Sequence, residues 1–391
     1  MSWQTVKLGE VCEINIGKTP SRHNMEYWND GTEYWLSIAD MSIGENIVST
    51  KEKITRKAID DSRIKLVNPN TILLSYKLSV GKVGISKLPL YTNEAIAALP
   101  IKNPKLLDTR YLLHVLKNVD FYKNADRAAK GLTLNKEKLK EIEFQLPPLA
   151  EQERIAKILD KANEIKFKRE LTLAKLDELV HSTFIDIFGE SSKNSKGWEK
   201  VQLKNFGRIS TGNTPPRANS KNYDEKFIEW IKTDNILEKS IYITSAKEYL
   251  SQQGAINGRI VKKDALLVAC IAGSVDSIGR ASLTNREVAF NQQINAIEPN
   301  EDINPLFLYS LFKVSRAYLQ SHATSGMKKL LSKGDFEKIE MIKPPIALQN
   351  KFADDLKLII DLRDKFVESV VQINLLLNSL QKQSFTTGCN A

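Results

Sequence analysis

Leu146-Pro147-Pro148-Leu149-Ala150-Glu151-Gln152-Glu153-Arg154-Ile155-Ala156-Lys157-Ile158-Leu159 is the stretch that decides how this chain is organised. Proline lacks an N–H and forces its predecessor out of the helical region, so Pro147 and Pro148 end what precedes them. Pro148 fits a first helical turn, and Glu151 and Glu153 put negative charge beside the positive end of the helix dipole. Apolar or long-stemmed residues then recur in steps of three and four through Ile155, Ile158, Ala162, Ile165, Arg169, Thr172, Leu176 and Leu179, the spacing of a coiled-coil seam. A long helix with one face wanting another helix is predicted.

The partner stands near the C-terminus as Lys343-Pro344-Pro345-Ile346-Ala347-Leu348-Gln349-Asn350-Lys351-Phe352-Ala353. Pro147 and Pro148 align with Pro344 and Pro345, Gln152 with Gln349, and Ala156 with Ala353. A second seam runs through Phe352, Leu356, Ile359, Phe366, Val370, Ile373, Leu377 and Leu380. The interval from Pro148 to Phe184 is 36 residues and that from Pro345 to Phe385 is 40, which predicts one extra turn, a stutter, in the second helix.

Outside the helices the chain repeats itself. Trp3-Gln4-Thr5-Val6-Lys7-Leu8 returns as Trp198-Glu199-Lys200-Val201-Gln202-Leu203, and at the same offset Gly17, Thr19, Pro20, Arg22 and Trp35 meet Gly212, Thr214, Pro215, Arg217 and Trp230. Further on, Gly81 meets Gly279, Lys82 meets Arg280, Asn93 meets Asn291 and Ile96 meets Ile294, at a slightly larger offset that loop insertions explain. The expected layout is a first lobe over 1–146, a helix over 147–188, a polar linker over 189–197, a second lobe over 198–343, a helix over 344–386 and a tail over 387–391. Buried strands are predicted at Asn70–Ser75, Gly84–Ser86, Asp264–Ala269 and Glu287–Phe290, and helices at Thr109–Leu116 and Pro305–Phe312, so each lobe reads as α+β.

Length and charge narrow the function. At 391 residues with 42% hydrophobic content, two or more globular units are expected. No apolar run approaches a membrane span and the start of the chain has no signal-peptide core, so a soluble, cytoplasmic protein without membrane contact is expected. The net charge is +10, yet Leu149 to Phe184 carries seven basic against seven acidic residues and Gln349 to Phe385 five against five. The excess therefore lies in the lobes, as expected if lobes meet a polyanion and helices meet protein. Cys12, Cys270 and Cys389 are isolated, and His23, His114, His181 and His322 have no metal-ligand spacing, so neither disulfide nor bound metal is expected.

Catalytic motifs are missing where they would be looked for. Ile16-Gly17-Lys18-Thr19-Pro20 fails as a phosphate loop, because Cys12 stands where its first glycine is needed and the second copy has Asn213 in place of the lysine. The Pro-Pro pairs follow Leu146, Thr214 and Lys343, so none makes the Asp/Asn-Pro-Pro-aromatic sequence of an amino-methyltransferase.

The paired Pro-Pro-Leu-Ala-Glu-Gln and Pro-Pro-Ile-Ala-Leu-Gln helix starts, the Trp-x-x-Val-x-Leu openings, Gly17-Lys18-Thr19-Pro20 with Gly212-Asn213-Thr214-Pro215, and Trp35-Leu36-Ser37-Ile38-Ala39-Asp40-Met41 with Trp230-Ile231-Lys232-Thr233-Asp234-Asn235-Ile236 carry a resemblance over nearly the whole chain. In that duplicated order the chain resembles the DNA-specificity subunit of a type I restriction–modification enzyme. The resemblance implies two similar α+β target-recognition domains joined by two long helices in an antiparallel coiled coil, a pseudo-two-fold internal repeat. Each domain would read one half of a split, asymmetric site in double-stranded DNA. The helices would act as spacer and dock two methyltransferase subunits, and two translocase-nuclease subunits can join that core. Such a chain is not itself an enzyme and binds no cofactor; S-adenosylmethionine, ATP and Mg belong to the partners.

For DNA contact the candidates are basic residues in turns, which reach phosphates or groove edges. They are Lys18, Arg22, Lys77 and Lys82 in the first lobe and Arg217, Lys232, Arg280, Lys328 and Lys329 in the second. The repeated pairs Arg22/Arg217 and Lys82/Arg280 suit phosphate, since lobes that read different sequences should differ where they specify. Trp35 and Trp230 read as core rather than as base-stacking platforms. Coiled-coil or docking positions are Ile155, Ile158, Ile165, Leu176, Leu179, Phe352, Leu356, Ile359, Phe366, Ile373, Leu377 and Leu380. The rival readings are a two-lobed DNA-bridging or scaffolding protein without a methyltransferase partner, and a nuclease or methyltransferase acting alone.

Overall fold

Each Pro-Pro pair leads at once into a helix of 40 residues, Leu149–Phe188 and Ile346–Phe385, in the computed structural model. It describes residues 3–42, 44–121, 126–128, 131–272, 275–324 and 329–385. The extra turn expected in the second helix is absent. The first helix runs to Phe188, as the expected range has it, and Gly189 ends it with φ +74, its N–H donating to Ile185 O at 2.8 Å. Phe184 and Phe188 sit on consecutive turns, and Phe188 rather than Phe184 is the counterpart of Phe385, so the two helices are equal in length.

The chain divides into two units, Met1–Arg169 with Ser369–Ala391 and Glu170–Glu368. Each unit holds one lobe, half of the central helix and half of the C-terminal helix. In the first unit a five-stranded sheet runs in the order Asn15–Ile16, Ile96–Leu99, Ile72–Ser75, Val83–Ser86, Asn46–Ile47. In the second the same order recurs as Gly207–Thr211, Ile294–Pro299, Leu266–Ala269, Ala281–Leu283, with a single parallel bridge from Tyr242 to Leu283 in the place of the fifth strand. A smaller sheet accompanies each: Glu33–Leu36 pairs parallel with Tyr91–Thr92 and antiparallel with Glu52–Ile54, as Ile228–Ile231 does with Val288–Phe290 and Tyr249–Leu250. The buried strands and the two helices, Thr109–Asn118 and Pro305–Val314, lie where the sequence predicts them.

Each lobe is closed by its own ends. Gln4–Lys7 pairs antiparallel with Glu143–Leu146, and Lys200–Gln202 with Glu340–Ile342, so the strand that leaves the lobe lies against the strand that opens it. The Pro-Pro pair follows directly. Gln152 is fully buried there, its Oε1 accepting the Asp108 N–H at 2.9 Å while its Nε2 donates to Leu106 O and Pro147 O, both at 2.8 Å. Gln349 repeats this with the Asn304 N–H at 2.9 Å, Asp302 O at 3.2 Å and Pro344 O at 2.7 Å. Asp108 and Asn304 are the N-caps of the two shorter helices. One carboxamide thus ties the start of the long helix to the start of the helix it packs on.

The helix pairing is antiparallel, as each unit shows by itself. In the first, Ile155, Ala156, Leu159 and Ala162 from the start of the central helix share a core with Leu377 from the end of the C-terminal helix, and Phe385 packs on Tyr111 with ring centroids 5.7 Å apart. In the second, Phe184 and Phe188 meet Phe352 at 5.5 Å each and stack around Phe307. Arg363 reaches Asp177 at 3.4 Å.

The seam differs from its sequence phase. Ile155, Leu176, Phe352, Leu356 and Leu377 are buried and Ile359, Phe366, Ile373 and Leu380 half-buried, whereas Ile158, Ile165 and Leu179 are 36%, 37% and 47% exposed. Leu159 holds the place assigned to Ile158. A run with apolar residues at both 158 and 159 fits steps of three and four in two phases, and packing on the lobe selects the second.

Replacing Gln152 by Met keeps the volume but strands a buried N–H and two carbonyls, at about 3 kcal/mol. Urea unfolding should show that loss for Gln152→Met. The exposed neighbour Glu153→Ala should change stability by less than about 0.5 kcal/mol.

Candidate nucleic-acid interface

The large sheet of each lobe gathers its loops at one end. Ile16 pairs with Ala97 and Ser75 with Ile96, so the loops after Ile16, after Ser75 and before Ile96 leave the sheet together. In the second lobe Thr211 pairs with Asn295 and Ala269 with Ile294, which brings the equivalent loops together. The cation candidates of the first lobe cluster on these loops or just beyond them.

The Gly-x-Thr-Pro motif builds this end rather than binding a nucleotide. A Cβ on Gly17 would lie 2.1 Å from Thr92 O, and one on Gly212 2.2 Å from Asn291 O, so only glycine lets the two loops approach. The next carbonyl in each copy, Lys18 O or Asn213 O, accepts the indole N–H of Trp35 at 3.1 Å or Trp230 at 3.2 Å. Both tryptophans are buried, 1% and 3% exposed, which makes them core. Thr19 then donates to Glu94 Oε2 and Thr214 to Gln292 Oε1. Asn93 and Asn291 turn the opposing loop by accepting the N–H of Ala95 and Gln293, each at 3.1 Å.

The candidate cations separate into two groups. Arg22 forms a two-pronged ion pair with Glu52 and lies over the rings of Trp28 at 3.7 Å and Trp35 at 4.8 Å. Arg217 pairs with Glu248 at 2.5 Å over Tyr223 at 4.5 Å and Trp230 at 5.0 Å, and Lys232 pairs with the same Glu248. Hydrogen bonds from Lys232 and Arg217 hold the Glu248 carboxyl below its usual range, so this contact persists above the ordinary carboxylate pKa and is lost as pH falls through the lowered one. These three cations spend their charge locally. By contrast, Lys18 donates to Ser62 O at 3.0 Å, Lys77 lies over the Tyr76 ring at 5.3 Å, Lys82 donates to Ser42 Oγ at 2.6 Å, and Arg280 donates to Ser277. Among the described residues none of these four has a carboxylate partner. Lys328 lies outside the described residues, as do the side chain of Lys329 and the tail with Cys389.

Sequence reading missed the acids Glu52, Glu248 and Glu94, the ring of Trp28 with its counterpart Tyr223, and the bonds that the aligned Gln152 and Gln349 make. Glu52 recurs as Glu248, Trp28 as Tyr223 and Gln152 as Gln349 near the repeat offset, which was the signal available, whereas Glu94 is met there by Gln292. Among the described residues no group of His, Cys, Asp and Glu is placed to hold a metal, and no helix is long and apolar enough to cross a membrane. Cys12 and Cys270 are buried, and burial pushes each thiol up to about 12.

A family described as type I restriction modification DNA specificity domain matches residues 1–176 and 195–368. The type I restriction enzyme MjaIX specificity subunit of Methanocaldococcus jannaschii is 30% identical over 235 residues, 55% of this chain and 54% of that one. The chain thus spans about half the length of that relative. The putative type I restriction enzyme MjaX specificity subunit of the same organism is 23% identical, over 92% of this chain and 87% of that one. In fold, the S subunit of a type I restriction–modification system from M. genitalium superposes with a TM-score of 0.63 at 15% identity, over 99% of this chain and 96% of that one.

Gly17→Ala should destabilise the first lobe by about 1–3 kcal/mol, because its methyl meets backbone that cannot turn away. Thermal unfolding should show a clearly lower midpoint, while Gly44→Ala, whose Cβ meets nothing within 4 Å, should leave it in place.

Proposed function

We propose, because this chain belongs to the type I restriction modification DNA specificity family with both copies of the domain present, that it is the sequence-choosing, non-catalytic subunit of a type I restriction–modification complex. Each lobe meets one half of a split, asymmetric site in double-stranded DNA. The helix pair is the spacer and the docking surface for two methyltransferase subunits, which two translocase-nuclease subunits can join, and S-adenosylmethionine, ATP and Mg act on those partners.

The observation that carries this reading is the duplicated lobe whose loop ends hold the cations Lys18, Lys77, Lys82 and Arg280 without carboxylate partners. These are the charges available to phosphate, and Arg22, Arg217 and Lys232 are better suited to shaping the loops that carry them. The helices support the partner assignment. They are charge-balanced, yet Phe167, Leu358 and Leu375 stay 66%, 71% and 64% exposed, a surface that a protein subunit would cover. Ile158, Ile165 and Leu179 belong with that open surface rather than with the seam.

Methylome sequencing of a host carrying the cognate methyltransferase tests the whole reading: a split adenine-methylation motif should vanish when this gene is removed. Unchanged methylation would favour the scaffolding alternative. In DNA-binding titrations, Lys77→Ala should lower the slope of log affinity against log salt by about one. Arg22→Ala should change that slope less, since Glu52 already neutralises its charge; equal changes would reject the division of cations.

A further inference from the structure

Glu94 and Gln292 occupy the same place in the two lobes and differ in chemistry. Each is exposed, each follows the asparagine that turns its loop, and each accepts a hydrogen bond from the threonine of the Gly-x-Thr-Pro motif. The surrounding scaffold is shared down to the glycine contact and the tryptophan N–H. Among the described residues, Glu94 Oε1 and the Gln292 amide N–H groups make no hydrogen bond. An acid here does not serve phosphate, which it would repel. It serves a partner that donates.

We propose that Glu94 and Gln292 are equivalent base-reading positions, each setting the preference at one base pair of the half-site its lobe meets; this rests on the DNA-specificity reading above. With Oε2 occupied by Thr19, Glu94 presents a fixed acceptor, which matches the N4 amino group of cytosine. Gln292, oriented by Thr214 through its oxygen, keeps an acceptor lone pair and a free N–H side, the pair that adenine N6 and N7 require. The threonine limits each side chain to one orientation, so the loop reads with little entropy lost on binding.

The full chain, purified with its methyltransferase partner, would select from randomised duplexes, with the bound pool sequenced for wild type, Glu94→Gln, Gln292→Glu and Glu94→Ala. Both exchange variants install a residue the other lobe already holds beside the same threonine, so folding should persist. Glu94→Gln should move the preference at one base pair of one half-site towards adenine by about tenfold or more. Gln292→Glu should move one base pair of the other half-site from adenine to cytosine, and Glu94→Ala should broaden the same base pair that Glu94→Gln shifts. Wild-type preference at every position in all three variants, or a uniform change in affinity, overturns the proposal. If the wild-type protein selects no split sequence, the DNA-specificity reading itself fails, a result distinct from variants that select the wild-type sequence.

Discussion

The carboxamide of Gln152, repeated in Gln349, is the constraint on which the rest of the structure depends. A proline pair ends a strand and starts a helix within two residues, which leaves backbone carbonyls at a buried corner with no helical or sheet partner. The glutamine answers that problem from inside the helix, reaching back to Pro147 O or Pro344 O and across to the cap of the shorter helix. Its side chain has both donors and an acceptor, and no apolar or singly functional residue could fill all three roles. The direction in which each long helix leaves its lobe follows from this contact. So does the pairing, because Phe352 and Ile155 lie within one turn of it, on the stripes that form the two cores.

The same logic runs through the loop ends. Glycine permits the close approach, tryptophan fills the core and ties down the neighbouring carbonyl, and a stacked arginine with its glutamate fixes the outer turn. The arginines are about half exposed, so their ion pairs add little stability by themselves, but stacking on two rings holds the guanidinium in one orientation. What this shared frame leaves open is narrow.

Much of this was legible in sequence because duplication separates frame from variation. Two copies of a glycine and a tryptophan at an offset of 195, and of a glutamine at 197, point to backbone and burial requirements, and the strands at Ile72–Ser75 and Leu266–Ala269 followed from apolar runs after turns. The seam phase was not legible, since Ile158 and Leu159 fit the heptad equally and only the lobe's packing decides. The end of the first helix at Phe188 was legible, but the comparison of helix lengths was not, because it was counted to Phe184, one turn short of that end. The local neutralisation of Arg22, Arg217 and Lys232 was hidden too, because Glu52 and Glu248 are some 30 residues away in sequence from the arginines and become partners only through strand pairing.

That neutralisation changes what the net charge of +10 means. A cation already paired to a carboxylate releases little on meeting a phosphate, because breaking one ion pair offsets making the other. Total charge therefore overstates the electrostatic contribution that the lobes can make. A protein built this way can keep general attraction to a polyanion modest and leave selection to the few positions where the two lobes differ. Identical frames then become an advantage, since a side chain exchanged at one such position meets a loop already shaped to present it.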